Sequence, residues 1–126
     1  PISGVAESLR FAKQHHFHAC LFTPVDTPDL LVGELAELVT AFQQAPERAA
    51  CVVTDVTVTP LHASIRFEPL IAIYPVSLLP TLLRSIRAKQ YSLSRLLTSI
   101  DVTSIVFRKS SCRNVNFPND ITDPDR

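Results

Sequence analysis

A chain of 126 residues with 12 basic and 12 acidic side chains has no net field to recruit a nucleic-acid backbone or an anionic membrane, so any phosphate binding must be local. Hydrophobic residues make up 46% and charged residues 19%, which fits one globular domain spanning 1–126 with a real core and excludes the disordered class. Glycine occurs only at Gly4 and Gly33, so a glycine-rich phosphate cradle cannot be built from this segment.

The start, "PISGVAESLRFAK", lacks the charged and then apolar pattern of an export signal. No apolar run approaches the roughly 20 residues of a membrane span. Cys20, Cys51 and Cys112 are odd in number and widely spaced, as suits small buried hydrophobes in a reducing compartment. A cytoplasmic location is expected, without membrane or nucleic-acid partners.

In chain order, "VAESLRFAKQ" sets Val5, Leu9 and Ala12 on one face at helical spacing. The unbroken apolar run Ala19 to Phe22 reads as a strand covered on both faces, ended by Thr23 and Pro24. "DTPDLLVGELAELVTAFQQ" reads as a turn and a helix, with Leu31, Leu35, Leu38, Val39 and Phe42 sharing a face, Pro28 suited to the first turn and Asp26 or Thr27 as cap. A second buried strand covers about 49–54. A proline-marked excursion with short strands "VTVTP" and "ASIRF" follows, and then a third apolar strand, "PLIAIYP". Two helices, "VSLLPTLLRSIRAK" and "SLSRLLTSI", precede a last strand, "DVTSIVF", and a loop, "RNVNFPND".

Strands alternating with helices predict an α/β three-layer fold with a largely parallel sheet. Ligands of such sheets bind beyond the carboxyl ends of the strands, which directs attention to the loops after residues 22, 54, 74 and 107. In the first of these, Asp26 could hold a hard cation such as Mg²⁺ together with substrate phosphate oxygens, or could cap a helix; position alone leaves both open. His15, His16 and His18 have no ligand-spaced partner and suit a solvated helix end. His62 carries no assignable chemistry. Cys20 and Cys51 are expected to be buried, and no local base stands beside Cys112, so none reads as a nucleophile. Arg84, Arg87, Lys89 and Arg95 could meet a phosphate but more simply form a wet helix face. Asn114 and Asn116 alternate beyond the last strand and also suit a turn.

Four elements in register resemble one family, the MobA-like molybdenum cofactor guanylyltransferases. They are "GVAESLR" with "ACLFTPVDTPDL", "RFEPLIAIYPVSLLPTL", a short Ser-rich helix, and "RNVNFPND". The resemblance covers nearly the whole chain but only about the C-terminal two thirds of such an enzyme, without its first strand and Gly-rich loop. It implies a three-layer α/β/α Rossmann-like nucleotidyltransferase fold, N-terminally incomplete.

The implied reaction moves GMP from GTP to molybdopterin and releases pyrophosphate. Asp26 is implied to be catalytic through bound Mg²⁺, and Asn114 and Asn116 to orient substrate phosphate or metal-bound groups. Ser3 and Gly4 are implied to line the guanine side. Tyr91 stands where the family commonly has a cation, so Arg95 or Lys89 is the substitute for the pterin contact. GTP, molybdopterin and transient contacts with molybdoenzyme assembly proteins complete the implied partners, and the segment alone is expected to be weak or inactive. Alternatives are a cytidylyltransferase, a sugar-nucleotide pyrophosphorylase, or a noncatalytic binding or assembly module of the same fold.

Overall fold

The structure, a computed structural model, describes residues 1–116. It contains helix α1 (Ile2–Gln14), strand β1 (Ala19–Phe22), helix α2 (Val32–Gln44), strands β2 (Ala49–Thr59) and β3 (His62–Pro75), helices α3 (Leu79–Arg87) and α4 (Leu93–Thr98), and strand β4 (Val102–Val106). Single 3₁₀ turns precede α3 and follow β4.

The expected α/β class is present, but the sheet is mixed rather than mostly parallel. Its order is β1-β3-β2-β4: β3 runs antiparallel to both β1 and β2, and β2 is parallel to β4. Three strands therefore share a direction and β3 opposes them. The reversal follows from the connection. The excursion after residue 54 is a hairpin, with Thr59 opposite His62, and a two-residue turn at Pro60 and Leu61 can only return the chain antiparallel.

Alternation along the central strands distributes the core to two faces. Ala49, Cys51, Ala72 and Tyr74 pack with Ile2, Val5 and Leu9 of α1 and with the buried leucines of α3 and α4. Ala50, Val52, Ile71 and Ile73 pack with Leu38 of α2 and with Phe107. Burying these side chains is worth roughly 1.5–3 kcal/mol each for the larger aliphatics, which makes the inner halves of β2 and β3 the rigid frame.

The helix of residues 26–44 differs from expectation at its start. It begins at Val32 with Leu31 as N-cap, so neither Asp26 nor Thr27 caps it and Pro28 is outside its first turn. The reason is Glu34, whose Oε2 accepts the Leu31 backbone N–H at 3.1 Å and satisfies a donor at the helix end without a short polar cap. Leu38 alone of the helix is fully buried, with Phe42 half-buried against the core; Leu31 and Val39 are exposed.

Pro80 does lie in the first turn of α3, where its missing N–H costs nothing. At the end of α1, His16 takes φ 62° and the His15 ring rests on Phe11 with centroids 4.1 Å apart, a helix terminus rather than a metal cluster.

Candidate active site

A cleft of about 440 Å³ opens at the carboxyl ends of β1 and β4, the edge to which open α/β sheets direct their ligands. Asp26 and Thr27 enter it from the loop after β1, Glu68 from β3, Tyr91 and Ser92 from the start of α4, and Asn114 from the segment after β4. Loops beyond β1 and β4 were among those expected to carry ligands. The loop expected after residue 54 is replaced by the hairpin, and β3 contributes through its interior rather than its end.

One wall of the cleft is made of loop held to loop. The Val115 N–H donates to the Asp26 carbonyl at 2.7 Å, an Arg113 Nη2 donates to Asp29 Oδ2 at 3.1 Å, and the Ser111 hydroxyl donates to Glu34 Oε1 at 2.8 Å. Residues 111, 113 and 115 thus fasten to the Asp26 loop and the start of α2. The intervening Cys112 and Asn114 line the cleft, as alternation along an extended segment requires. The Thr27 hydroxyl donates to the Pro24 carbonyl at 3.2 Å, closing a local turn beside Asp26.

The opposite wall is strand. Pairing of β3 with β2 jumps from Ala72 opposite Cys51 to Glu68 opposite Val52, so Pro69, Leu70 and Ile71 form a bulge. Proline lacks the N–H a ladder needs, and the bulge is where β3 can hold one. The carbonyls that leave the ladder find side chains. The buried Tyr74 hydroxyl donates to Pro69 O at 2.7 Å, and the Cys51 thiol donates to Glu68 O at 3.4 Å. Between Val53 and Asp55 the register shifts again and releases Thr54, whose hydroxyl donates to Glu68 Oε1 at 3.0 Å.

Of the residues singled out in the sequence, Asp26 and Asn114 are brought together. Ser3 and Gly4 lie exposed in the first turn of α1, near Pro1 but outside the lining, and a Cβ on Gly4 would meet nothing within 4 Å. Asn116 and Arg95 are exposed and also outside it, although Arg95 sits one turn into the helix whose cap, Ser92, reaches the cleft. Phe117 and Pro118 of the "NVNFP" motif lie outside the described residues.

Sequence reasoning placed neither Glu68 nor Cys112 in the cleft. The proline directly after Glu68 in an otherwise strand-like run was the available signal for the first; the second had none. Burial, with the Glu68 and Glu34 carboxylates adding to it, pushes the Cys112 thiol up to about 11, and burial pushes Cys51 up to about 12. Cys20 is only partly buried, contrary to expectation, and burial raises its thiol as well. None of the three is a ready nucleophile at neutral pH.

Among the described residues no group of three or more His, Cys, Asp or Glu side chains could by itself hold a metal ion. Mg²⁺ needs no such cage, since it takes one or two carboxylates and completes its shell with water and substrate phosphates. Asp26, half-buried and sharing the cleft with the amide of Asn114, offers hard oxygen donors of that kind, so the residues fit a site completed by substrate.

No protein-family model matches the chain. In sequence it is 36% identical over 124 residues, 98% of its length, to a protein of Rhodopirellula baltica named "Probable molybdenum cofactor guanylyltransferase". The match spans 56% of that relative, so the chain covers little more than half of it. The crystal structure of molybdopterin-guanine dinucleotide biosynthesis protein A from Archaeoglobus fulgidus is similar over 97% of this chain and 59% of that one, with a TM-score of 0.68 at 22% identity. A protein of Aquifex aeolicus VF5 is similar over 92% of this chain and 56% of its own, with a TM-score of 0.69 at 16% identity. At such identities the two structures attest to the α/β fold alone.

Proposed function

We infer that this chain, a partial MobA-like segment, contributes the metal and acceptor side of an enzyme that transfers GMP from GTP to molybdopterin. The observation that carries this reading is the meeting of Asp26 and Asn114. They come from opposite ends of the chain, line one cleft, and are held in register by the 2.7 Å bond from Val115 N–H to Asp26 O. Within this reading the four described strands belong to a larger three-layer Rossmann-like sheet, completed by a phosphate-binding loop from residues this segment does not contain.

In the transfer, an oxygen of the molybdopterin phosphate bonds to the α-phosphorus of GTP as the bond to the β-phosphate oxygen breaks and pyrophosphate leaves. Asp26 would hold the cation beside the reacting phosphates, and the Asn114 amide orients a phosphate oxygen. Bound Mg²⁺ would supply the neutralising charge that stabilises the developing oxyanions and the departing pyrophosphate. The apolar walls at Leu70, Ile71 and Leu93 limit water that would otherwise hydrolyse GTP. Ser3, Gly4, Asn116 and Arg95 lie outside the cleft lining; in this reading Ser3 and Gly4 act on the guanine side, Arg95 on the pterin, and Asn116 with Asn114 on substrate phosphate or metal-bound groups. The enzyme works in the cytoplasm, where transient contacts pass its product to molybdoenzyme assembly proteins.

The test is guanylyl transfer by the full-length gene product and by this segment, each with Asp26 intact or replaced by Asn. Asp26→Asn should lower the full-length rate on the order of 100-fold or more and raise the Mg²⁺ requirement, while the segment alone stays weak or inactive. Normal activity of the full-length Asp26→Asn variant would remove the metal role. A thermal shift with CTP but not GTP would favour a cytidylyltransferase instead.

A further inference from the structure

We propose that Glu68 is a specificity-determining residue that reads the 2-amino-4-oxopyrimidine edge, the pair of neighbouring N–H donors common to guanine and pterin. The proposal deepens the guanylyl-transfer reading and rests on it for the identity of the two candidate rings.

Three observations converge. Glu68 begins the bulge that forms the strand wall, and both irregularities of the β2–β3 ladder lie beside it. Its backbone carbonyl is held by the Cys51 thiol, the next carbonyl by the Tyr74 hydroxyl, and its Oε1 by the Thr54 hydroxyl. A glutamate left to solvent would have no such support, and this one has three-quarters of its side chain withdrawn from water. Its contacts with Thr54 at 3.0 Å and with the exposed Arg66 at 3.7 Å both fall on Oε1. Each carboxylate oxygen accepts about two hydrogen bonds, so the group retains capacity for a donor pair.

The surroundings select the kind of ligand. Pro69, Leu70, Ile71 and Leu93 present apolar surface beside Glu68, and Tyr91, 56% exposed, adds an aromatic ring. Such a wall suits a flat heterocycle, with one charged acceptor fixing its orientation. A phosphate is the wrong partner for Glu68, because like charges repel in a partly dry cleft and Arg66 offers little screening from its exposed position. Within the cleft, Glu68 therefore suits the ring of a substrate rather than its phosphates, which Asp26 could meet only through a cation. Two parallel N–H donors meet a carboxylate as the arginine fork does, with two charge-assisted bonds that also set angle.

The experiment uses the full-length protein, wild type and Glu68→Gln, and two matched pairs of probes. Fluorescence titration compares 2-amino-4-oxopteridine with 2,4-dioxopteridine, which lacks the amino donor; steady-state transfer compares GTP with ITP, which lacks it likewise. Wild type should prefer the amino compound of one pair by about tenfold or more, and Glu68→Gln should erase most of that preference with Mg²⁺ dependence unchanged. Glu68→Asp, which keeps the charge, should recover part of it, as a packing role alone would not require.

Loss of selectivity in the pteridine pair assigns the edge to the acceptor, and loss in the nucleotide pair assigns it to guanine. Unchanged selectivity in both pairs overturns the proposal, as does a shift confined to the Mg²⁺ requirement, which would make Glu68 a metal ligand. Wild-type protein that shows the pteridine preference but no guanylyl transfer would refute the enzymatic reading while leaving the role of Glu68 standing.

Discussion

The two walls of the cleft are built on opposite principles. The strand wall is a defect in a ladder, whose displaced carbonyls are caught by side chains from the core, Tyr74 and Cys51. The loop wall has a smaller core beneath it, with Leu30 and Cys112 packed at the edge of the cluster around Leu38 and Phe107. It stands on a Ser–Glu pair, an Arg–Asp pair and a single backbone bond between segments from the two ends of the chain. Packing energy therefore protects the strand wall, whereas the loop wall is positioned by polar contacts that contribute little to global stability. Substitutions in the first should be felt as stability, and in the second as activity.

Tyr74 is the largest lever. It is fully buried, meets Phe22 edge to face with ring centroids 5.7 Å apart, and ends on Pro69 O. Tyr74→Ala should cost about 3–5 kcal/mol, from lost transfer energy and the cavity it leaves. Tyr74→Phe, which keeps the ring and abandons a buried carbonyl, should cost about 1–2 kcal/mol. Chemical denaturation of the full-length protein measures both. Equal costs for the two variants would mean that the hydroxyl, not the ring, holds the wall.

The loop wall should behave in the opposite way. The Arg113–Asp29 pair is half open to solvent on the Asp29 side, so Arg113→Ala should cost only about 0.2–1 kcal/mol of stability. Asn114 nevertheless lies between this pair and the Val115 N–H bond that fixes the Asp26 backbone, and a small displacement of reacting groups is costly. Its guanylyl-transfer rate should fall tenfold or more with the melting temperature nearly unchanged. Arg113→Lys should restore part of the rate. A fall in stability as large as that of Tyr74→Phe, without a fall in rate, would erase the distinction between the walls.

The elements of this fold were more legible than its directions. The existence of the strand Ala19–Phe22 and of the helix carrying Pro80 could be read because an apolar run and a proline each have a local meaning, but β1 is an edge strand with Leu21 exposed rather than a strand covered on both faces. The orientation of β3 could not, because "LIAIY" is equally apolar in a parallel or an antiparallel neighbour, and only the hairpin turn decides between them. The sequence leaves Asp26 open between a cation ligand and a helix cap, since "DTPD" has cap chemistry. The cap role is excluded by Glu34 acting from inside the helix, a contact spelled three residues after Leu31. Glu68 was passed over because a bulge is a mismatch between two strands, and one strand's residues do not display it.

Cys112 offers the smallest effect and the finest separation of the two walls, because it lies on the loop wall yet is influenced by Glu68 on the strand wall. Burial comes first and the Glu68 and Glu34 carboxylates second in lifting its thiol to about 11. The raised value favours the neutral thiol in the fold, so the contribution is present below the ordinary thiol range and is lost as pH rises toward about 11. Alkylation by iodoacetamide should therefore be slow at neutral pH and climb steeply only toward that value, since the thiolate is the reacting form. Because burial dominates, Glu68→Gln should shift the profile down only slightly. Arg113→Ala, by loosening the segment that carries Cys112, should accelerate alkylation further. Mass spectrometry of the modified cysteine across pH reads both effects. A larger acceleration from Glu68→Gln than from Arg113→Ala would show that charge across the cleft, rather than the clasp behind it, governs this side of the site.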